Sequence, residues 1–134
     1  MTNQESLWIG ASLRMPFSDA VGRVKNALAR EKFEILTEID LQNVLKEKSG
    51  KDIGRYLMLG AWHPETAHRA IRANREAGHL FPSQFLLFEA EPGRVTVSAM
   101  NPIAALSGSA RREFQAAAAE IADRLQRVIT SLPS

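Results

Sequence analysis

Tyr56-Leu57-Met58-Leu59-Gly60-Ala61-Trp62-His63-Pro64-Glu65-Thr66-Ala67-His68 reads as an apolar strand, a sharp corner and the first turn of a helix. Within the strand, predicted over Arg55 to Trp62, Leu57, Leu59 and Ala61 fill one face while Tyr56, Met58 and Trp62 fill the other. Side chains alternate along a strand, so a segment apolar at both parities is covered on both sides. Pro64 suits the first helical position, where its missing N–H costs nothing. The corner sets an indole beside a titratable ring, Trp62 before His63, and no other segment joins burial to that chemistry.

Upstream, Leu7 to Met15 alternates, with Leu7, Ile9, Ala11, Leu13 and Met15 set against Trp8, Gly10, Ser12 and Arg14. That is the pattern of a half-buried strand. Pro16 ends it, and Ser18 offers an N-cap for a helix over Asp19 to Glu31, whose Val21, Val24 and Leu28 form one stripe. Its outer face carries Arg23, Lys25, Arg30 and Lys32, the pattern of a solvated helix face. Phe33 to Asp40 is a second strand, with Phe33, Ile35, Thr37 and Ile39 on one face and Glu34, Leu36, Glu38 and Asp40 on the other. Asp40 caps a short helix, Leu41 to Lys48, which Gly50 closes in the left-handed conformation.

Downstream, the helix begun at Pro64 carries Ala67, Ala70, Ile71 and Asn74 inward and closes at Gly78. Gln84 to Glu91 is again apolar on both faces, through Phe85 and Leu87 against Leu86 and Phe88. Pro92-Gly93 marks a type II turn. The hand of that turn fits a tight hairpin poorly, which predicts a bulge or longer loop before the last strand, Arg94 to Met100. Ser109 to Thr130 is a helix about 33 Å long at about 1.5 Å per residue. Phe114, Ala118, Ile121, Leu125, Val128 and Leu132 form its single stripe.

Five strands, two medium helices and a long C-terminal helix make an α+β, two-layer domain. The sheet is mostly antiparallel, with helices on one face. Because the third and fourth strands are apolar on both faces, the second sheet face needs its own cover, a ligand or another subunit. The 134 residues fit a single domain, 1–134, large enough to fold without a disulfide or metal. The absence of cysteine excludes disulfides, thiolate nucleophiles and cysteine-held metal. Seventeen basic against fifteen acidic residues leave +2, too balanced for charge to imply nucleic acid. Met1 to Ser6 lacks a basic segment followed by an apolar run, and no run approaches the roughly 20 apolar residues a membrane span needs. The expectation is a cytoplasmic protein with no membrane partner.

Phe33-Glu34-Ile35-Leu36-Thr37-Glu38-Ile39-Asp40, then Tyr56 to Pro64, then Gly78-His79-Leu80-Phe81-Pro82 and the hairpin after it, together resemble the domain-of-unknown-function 302 family. The likeness runs from about Ser12 to Leu106. It implies a small α+β fold of TBP-like layout, a curved sheet backed by helices, and a homodimer. It implies no established activity. Family members often carry cysteine and asparagine before the corner proline, where this chain has Trp62 and His63, and cysteine where it has Ser83. A thiol-based role in relatives therefore does not transfer.

The candidate ligand-binding residues are Trp8, Glu38, Tyr56, Met58, Trp62, His63 and Ser83. Trp8, Tyr56, Met58 and Trp62 suit an apolar cleft or a subunit contact, since both use the same apolar face. The leading reading is a homodimeric binding protein for a small apolar or anionic ligand. The alternative is an enzyme, or a metal- or haem-binding protein, centred on His63 with Glu38 as partner. Against it, His63 also reads as a corner residue packed on Pro64 that caps the helix. Glu38 and Asp40, with Glu34 on the same face, also read as a carboxylate face reaching solvent. His63, His68 and His79 point apart or lie about 20 Å apart along one helix, so one subunit does not easily gather them as a metal site, and a site shared across a dimer stays open. Glycine-rich phosphate loops are absent. Arg111, Arg112, Arg124 and Arg127 interleave with Glu113, Glu120 and Asp123, and the Glu120–Arg124 and Asp123–Arg127 spacings predict a solvated, ion-paired helix face. The residues name no cofactor.

Overall fold

A computed structural model describes residues 6–106 and 108–133, with side chains outside 108–111. The reading of Met1 to Glu5, and the side chain of Arg111, lie outside the described residues. The elements run β1 (Trp8–Arg14), α1 (Phe17–Arg30), β2 (Glu34–Asp40), α2 (Leu41–Ser49), β3 (Tyr56–Trp62), α3 (Pro64–Ala73), β4 (Ser83–Glu91), β5 (Arg94–Met100), α4 (Pro102–Ala105) and α5 (Gly108–Thr130). A 3₁₀ turn, Arg75–His79, sits between α3 and β4. The strands form one sheet in the order β1-β5-β4-β3-β2, antiparallel at every step. This is the α+β layout expected from the sequence.

One sheet face is the core. Leu13, Leu57, Leu59, Ala61, Phe85, Leu87, Val95, Val97 and Ala99 point into it and are buried. Ala20, Val24, Ala27 and Leu28 of α1 meet them, with Phe114, Ala118, Ile121, Leu125 and Val128 of α5. The stripe read along α5 is thus the stripe that packs. On the other face the strand register sets Gly10, Ser98, Leu86, Met58 and Ile39 side by side in one row. Ser12, Thr96, Phe88 and Tyr56 make the next row, with Tyr56 and Phe88 stacked at 5.3 Å. Trp8, Ile39 and Met100 are exposed there, at 55%, 40% and 44%.

Three local readings need correcting. The first helix starts at Phe17 with Pro16 as N-cap, so Ser18 is already helical and makes no cap bond. The fixed φ of Pro16 positions the chain, and its carbonyl accepts from Ala20 N at 3.0 Å. The second correction concerns α3, which stops at Ala73 rather than Gly78. Asn74 is extended there, and its amide oxygen takes the Glu76 N–H at 2.9 Å, a local bond that competes with the helix. The third lies in β2. Ile35 faces Ala61 and Thr37 faces Gly60, so Leu36 is an extra residue, a β-bulge.

That bulge swaps the faces of everything after it. Glu38 lies opposite Leu59 and Asp40 opposite Leu57, on the helix side, while Glu34 lies opposite Trp62 on the open side. The three carboxylates do not share a face. Glu38 instead reaches Lys25 Nζ of α1 at 2.8 Å, and Asp40 caps α2 through Asn43 N at 3.1 Å. Gly50 closes α2 at φ 72°, as the sequence predicts. The β4–β5 hairpin also has its predicted bulge, between Glu89 and Glu91, beside the turn where Gly93 takes φ 78°.

Candidate functional site

The core-side parity of β3 continues past Ala61 to His63, so the chain delivers the imidazole to the helix side of the corner. There it is 5% exposed and edge-on to Phe33, with ring centroids 6.0 Å apart. His63 is the N-cap of α3, and Pro64 follows at the first helical position. His63 therefore stands at the cap position the sequence reading gave it, its carbonyl accepting from Ala67 N at 2.9 Å.

It does more than cap. His63 Nδ1 lies 2.8 Å from Thr66 Oγ1 and 3.3 Å from Thr66 N. The Thr66 hydroxyl donates to Glu120 Oε2 of α5 at 2.6 Å. Arg69 Nη2 donates to the other carboxylate oxygen at 2.8 Å. A hydroxyl has one proton to give. With that proton on Glu120, the 2.8 Å contact is satisfied when Nδ1 carries the imidazole hydrogen, and we assign that tautomer from the network. The longer bond from Thr66 N is then given up, and the Nε2 lone pair is left on the far edge of the ring.

Charge supports the same picture. Burial holds the His63 imidazole below its ordinary value of 6.5, and the Arg124 guanidinium adds to the effect. The Thr66 hydroxyl, then Arg69, hold the Glu120 carboxyl below its ordinary 4.5. The ring is neutral and the carboxylate ionised at pH 7. Arg124 donates to the Glu31 carbonyl at 3.3 Å, while its Nε, 3.7 Å from Glu120, is buried without a hydrogen-bond partner among the described residues. A cleft of about 610 Å³ opens beside the ring, lined by Ala29, Lys32, Phe33, Glu34, His63, Pro64, Glu65 and Arg124.

The other candidates lie elsewhere. Trp8, Tyr56 and Met58 are on the open sheet face, where Trp8 stands three strands across from Tyr56 and four residues along, about 20 Å in all at about 4.8 Å per strand and about 3.3 Å per residue. A depression of about 560 Å³ forms beside Trp8 because Gly10, Ser12 and Ser98 are small, and Leu86 and Phe88 wall it. Trp62 shares that face by register, although its indole packs against the core with Nε1 unpartnered among the described residues. Ser83 opens β4 beside a third recess of about 310 Å³ that also involves His79 and Leu80. The seven residues therefore divide among separate places, and Glu38 pairs with Lys25 rather than with His63. Among the described residues, no three His, Asp or Glu side chains converge as metal ligands.

Two residues of the helix face read as solvated, Glu120 and Arg124, belong to the site and form their predicted pair at 3.7 Å. Arg69 bonds Glu120 at 2.8 Å, and Arg127 pairs with Glu31 at 3.0 Å instead of Asp123. Thr66 and Glu120 were missed because 54 residues separate them. The sole sequence signal was a threonine three residues after a capping histidine.

A family model described as Domain of unknown function DUF302 matches residues 9–132. Among solved structures, the chain is similar to the crystal structure of an uncharacterized conserved protein DUF302 from Bacillus stearothermophilus. The TM-score is 0.83 at 18% identity, over 92% of this chain and 96% of that one. At that identity the likeness is one of fold. No curated protein matches. No helix among the described residues is long and apolar enough to cross a membrane. With the motifs from Phe33 to Pro82 and a family match across almost its whole length, this chain belongs to the DUF302 family.

Proposed function

We propose that this protein is a homodimeric binding protein whose open sheet face seats a small apolar acid. The observation that carries the reading is the apolar row Leu86–Met58–Ile39 on the face away from the core, half-buried at Leu86 and Met58 and 40% exposed at Ile39, flanked by exposed Trp8 and Met100. Monomers rarely leave so continuous an apolar surface in water. The depression beside Trp8, about 560 Å³, is of small-ligand size. At its polar end Arg94 bonds Ser12 at 3.2 Å, and Arg14 stands opposite Arg94 with no ion pair among the described residues. An apolar body matches the lining, and a carboxylate head would reach beyond it, past Ser12, toward the two arginines. The face continues past the depression to Ile39, farther than a small ligand reaches, and a second copy covers the remainder. A chain without cysteine is at home in the cytoplasm.

Sedimentation velocity at micromolar concentration tests the assembly: a dimer is expected, and Met58→Lys should give a folded monomer. Thermal-shift measurements with octanoate and octanol test the ligand. Octanoate should raise Tm more than octanol, and Arg14→Gln should remove the difference. A wild-type monomer would overturn the dimer, and a protein indifferent to octanoate would overturn the ligand.

A further inference from the structure

We infer that the cleft at the β3–α3 corner is a binding site for a phosphate group, met by His63 Nε2, Lys32 and Arg124. This site is separate from the open sheet face, and its occupant differs in chemistry from an apolar acid.

The first support is the ring itself. His63 is 5% exposed, and its Nδ1 edge is committed to Thr66 and Glu120. Nε2 has no hydrogen-bond partner among the described residues. The buried side-chain atoms left unpartnered there are Trp62 Nε1 and Arg124 Nε. Nε2 is not among them, so it reaches the surface, where the ring lines the cleft. A buried imidazole is thus held by one edge and presents a lone pair with the other.

Lys32 is the second. It alone among the described non-glycine residues has positive φ, at 67°. It closes α1 by a reciprocal pair of bonds, Lys32 N to Ala29 O at 3.0 Å and Phe33 N to Leu28 O at 2.9 Å. Glycine is the usual residue at that position, since it takes the left-handed conformation without strain. This chain places a lysine there, lining the cleft, with no ion pair among the described residues.

The ligand class follows from the donors and acceptors. Neutral Nε2 needs a donor, whereas Lys32 lacks an anionic partner among the described residues and Arg124, held only loosely by Glu120 at 3.7 Å and Glu31 at 3.8 Å, has donors to offer an anionic oxygen. A carboxylate or sulfate ion supplies oxygens and no proton near pH 7. A phosphate supplies both once it holds one proton: with a pKa of about 6 it is mostly the dianion at pH 7 and takes up that proton on binding, so that its P–OH donates to Nε2 while its other oxygens accept from the cations. The complex holds one proton between ring and phosphate. The N-terminus of α3, ten residues long, lies at the same corner and favours an anion. Glu34 and Glu65 rim the cleft with negative charge and disfavour a second phosphate. Phe33, Pro64 and Ala29 offer an apolar wall to an organic remainder.

The test is ¹⁵N side-chain NMR of the three histidines during titration with inorganic phosphate, phenyl phosphate and sulfate at pH 7. Phosphate should move His63 saturably and leave His68 and His79 in place. Tighter binding of phenyl phosphate than of inorganic phosphate identifies an organic monoester as the occupant; the reverse identifies the free ion. Sulfate should bind more weakly by at least about tenfold, the lower end for one charge-assisted hydrogen bond. Lys32→Gly relieves the backbone, so that variant should melt higher and yet bind phosphate about tenfold more weakly. A His63 signal unmoved by phosphate, sulfate binding equal to phosphate, or undiminished affinity in Lys32→Gly would each overturn the assignment.

Discussion

Replacing Thr66 with valine removes one oxygen from the His63–Thr66–Glu120 chain and leaves the side-chain shape and backbone N–H in place. Thr66 is 0% exposed, so water cannot stand in for that oxygen. Its bond to the Glu120 carboxylate is short, 2.6 Å, and hydrogen bonds to charged groups contribute about 1.5–3 kcal/mol. Two features pull the value down. The Glu120 side chain is 31% exposed and keeps Arg69, and His63 Nδ1 can turn acceptor toward Thr66 N. The expected loss is therefore at the lower end, about 1.5–2 kcal/mol. With a urea slope of about 2 kcal/mol/M, the midpoint should fall by nearly ~1 M. A double-mutant cycle with Glu120→Gln isolates the shared part, for which about 1 kcal/mol of coupling is expected. Acidification gives a second signature. A carboxyl whose folded pKa is depressed contributes stability above its ordinary value, here 4.5, and loses it as pH falls through the folded value. The Thr66 hydroxyl is the largest cause of that depression, so Thr66→Val should lose less stability than wild type in this acid window. A variant within about 0.5 kcal/mol of wild type, or an additive cycle, would refute the linkage.

Gly60→Ala should cost about 1–3 kcal/mol, because the added methyl meets Thr37 Oγ1 across the β2–β3 pairing; Thr37→Ala in the same chain should recover most of it by thermal melting. Asp40→Ala removes the side-chain acceptor of Asn43 N and should lower stability by about 1 kcal/mol, with hydrogen exchange quickening first in α2. For His63 the folded pKa is depressed, chiefly by burial, so its contribution is complete above 6.5 and is lost as pH falls through the folded value. His63→Asn keeps a helix cap without titrating, and urea midpoints between pH 7.5 and 5 should therefore decline less steeply than in wild type; equal slopes would contradict the linkage.

The period of the apolar residues carried most of the fold. The stripe from Phe114 to Leu132 and the alternation from Ile9 to Met15 each described the packed face correctly, because burial in those elements is regular, while Leu7, 43% exposed, lies before β1 and does not pack. What pattern cannot show is a change of parity within an element. Leu36 is apolar between Ile35 and Thr37, so either a straight or a bulged β2 reads acceptably. The choice rests on pairing with β3, and it relocated Glu38 to the neighbourhood of Lys25. The site was harder still. His63 stood out because a titratable group at a strand–helix corner is locally unusual. Its partners did not: Thr66 resembles any first-turn threonine, and Glu120–Arg124 satisfies a surface spacing while standing over α3. Tertiary packing decides which of several polar spacings on a helix becomes a network.

The sheet order carries a consequence for the way the chain is made. Of the five strands β1 leaves the ribosome first, yet its one strand neighbour among the described residues, β5, is the last of the five to be synthesised. About 80 residues separate Arg14 from its opposite number Arg94, so at about 5–20 residues per second β1 waits roughly 4–16 s for a partner. During that interval Leu13 has no β5 to rest on, and β2, β3 and β4 can already pair as successive antiparallel neighbours. The N-terminal strand is thus a late arrival at an edge that the rest of the sheet has built. Once there, it can leave again without breaking any other strand pairing.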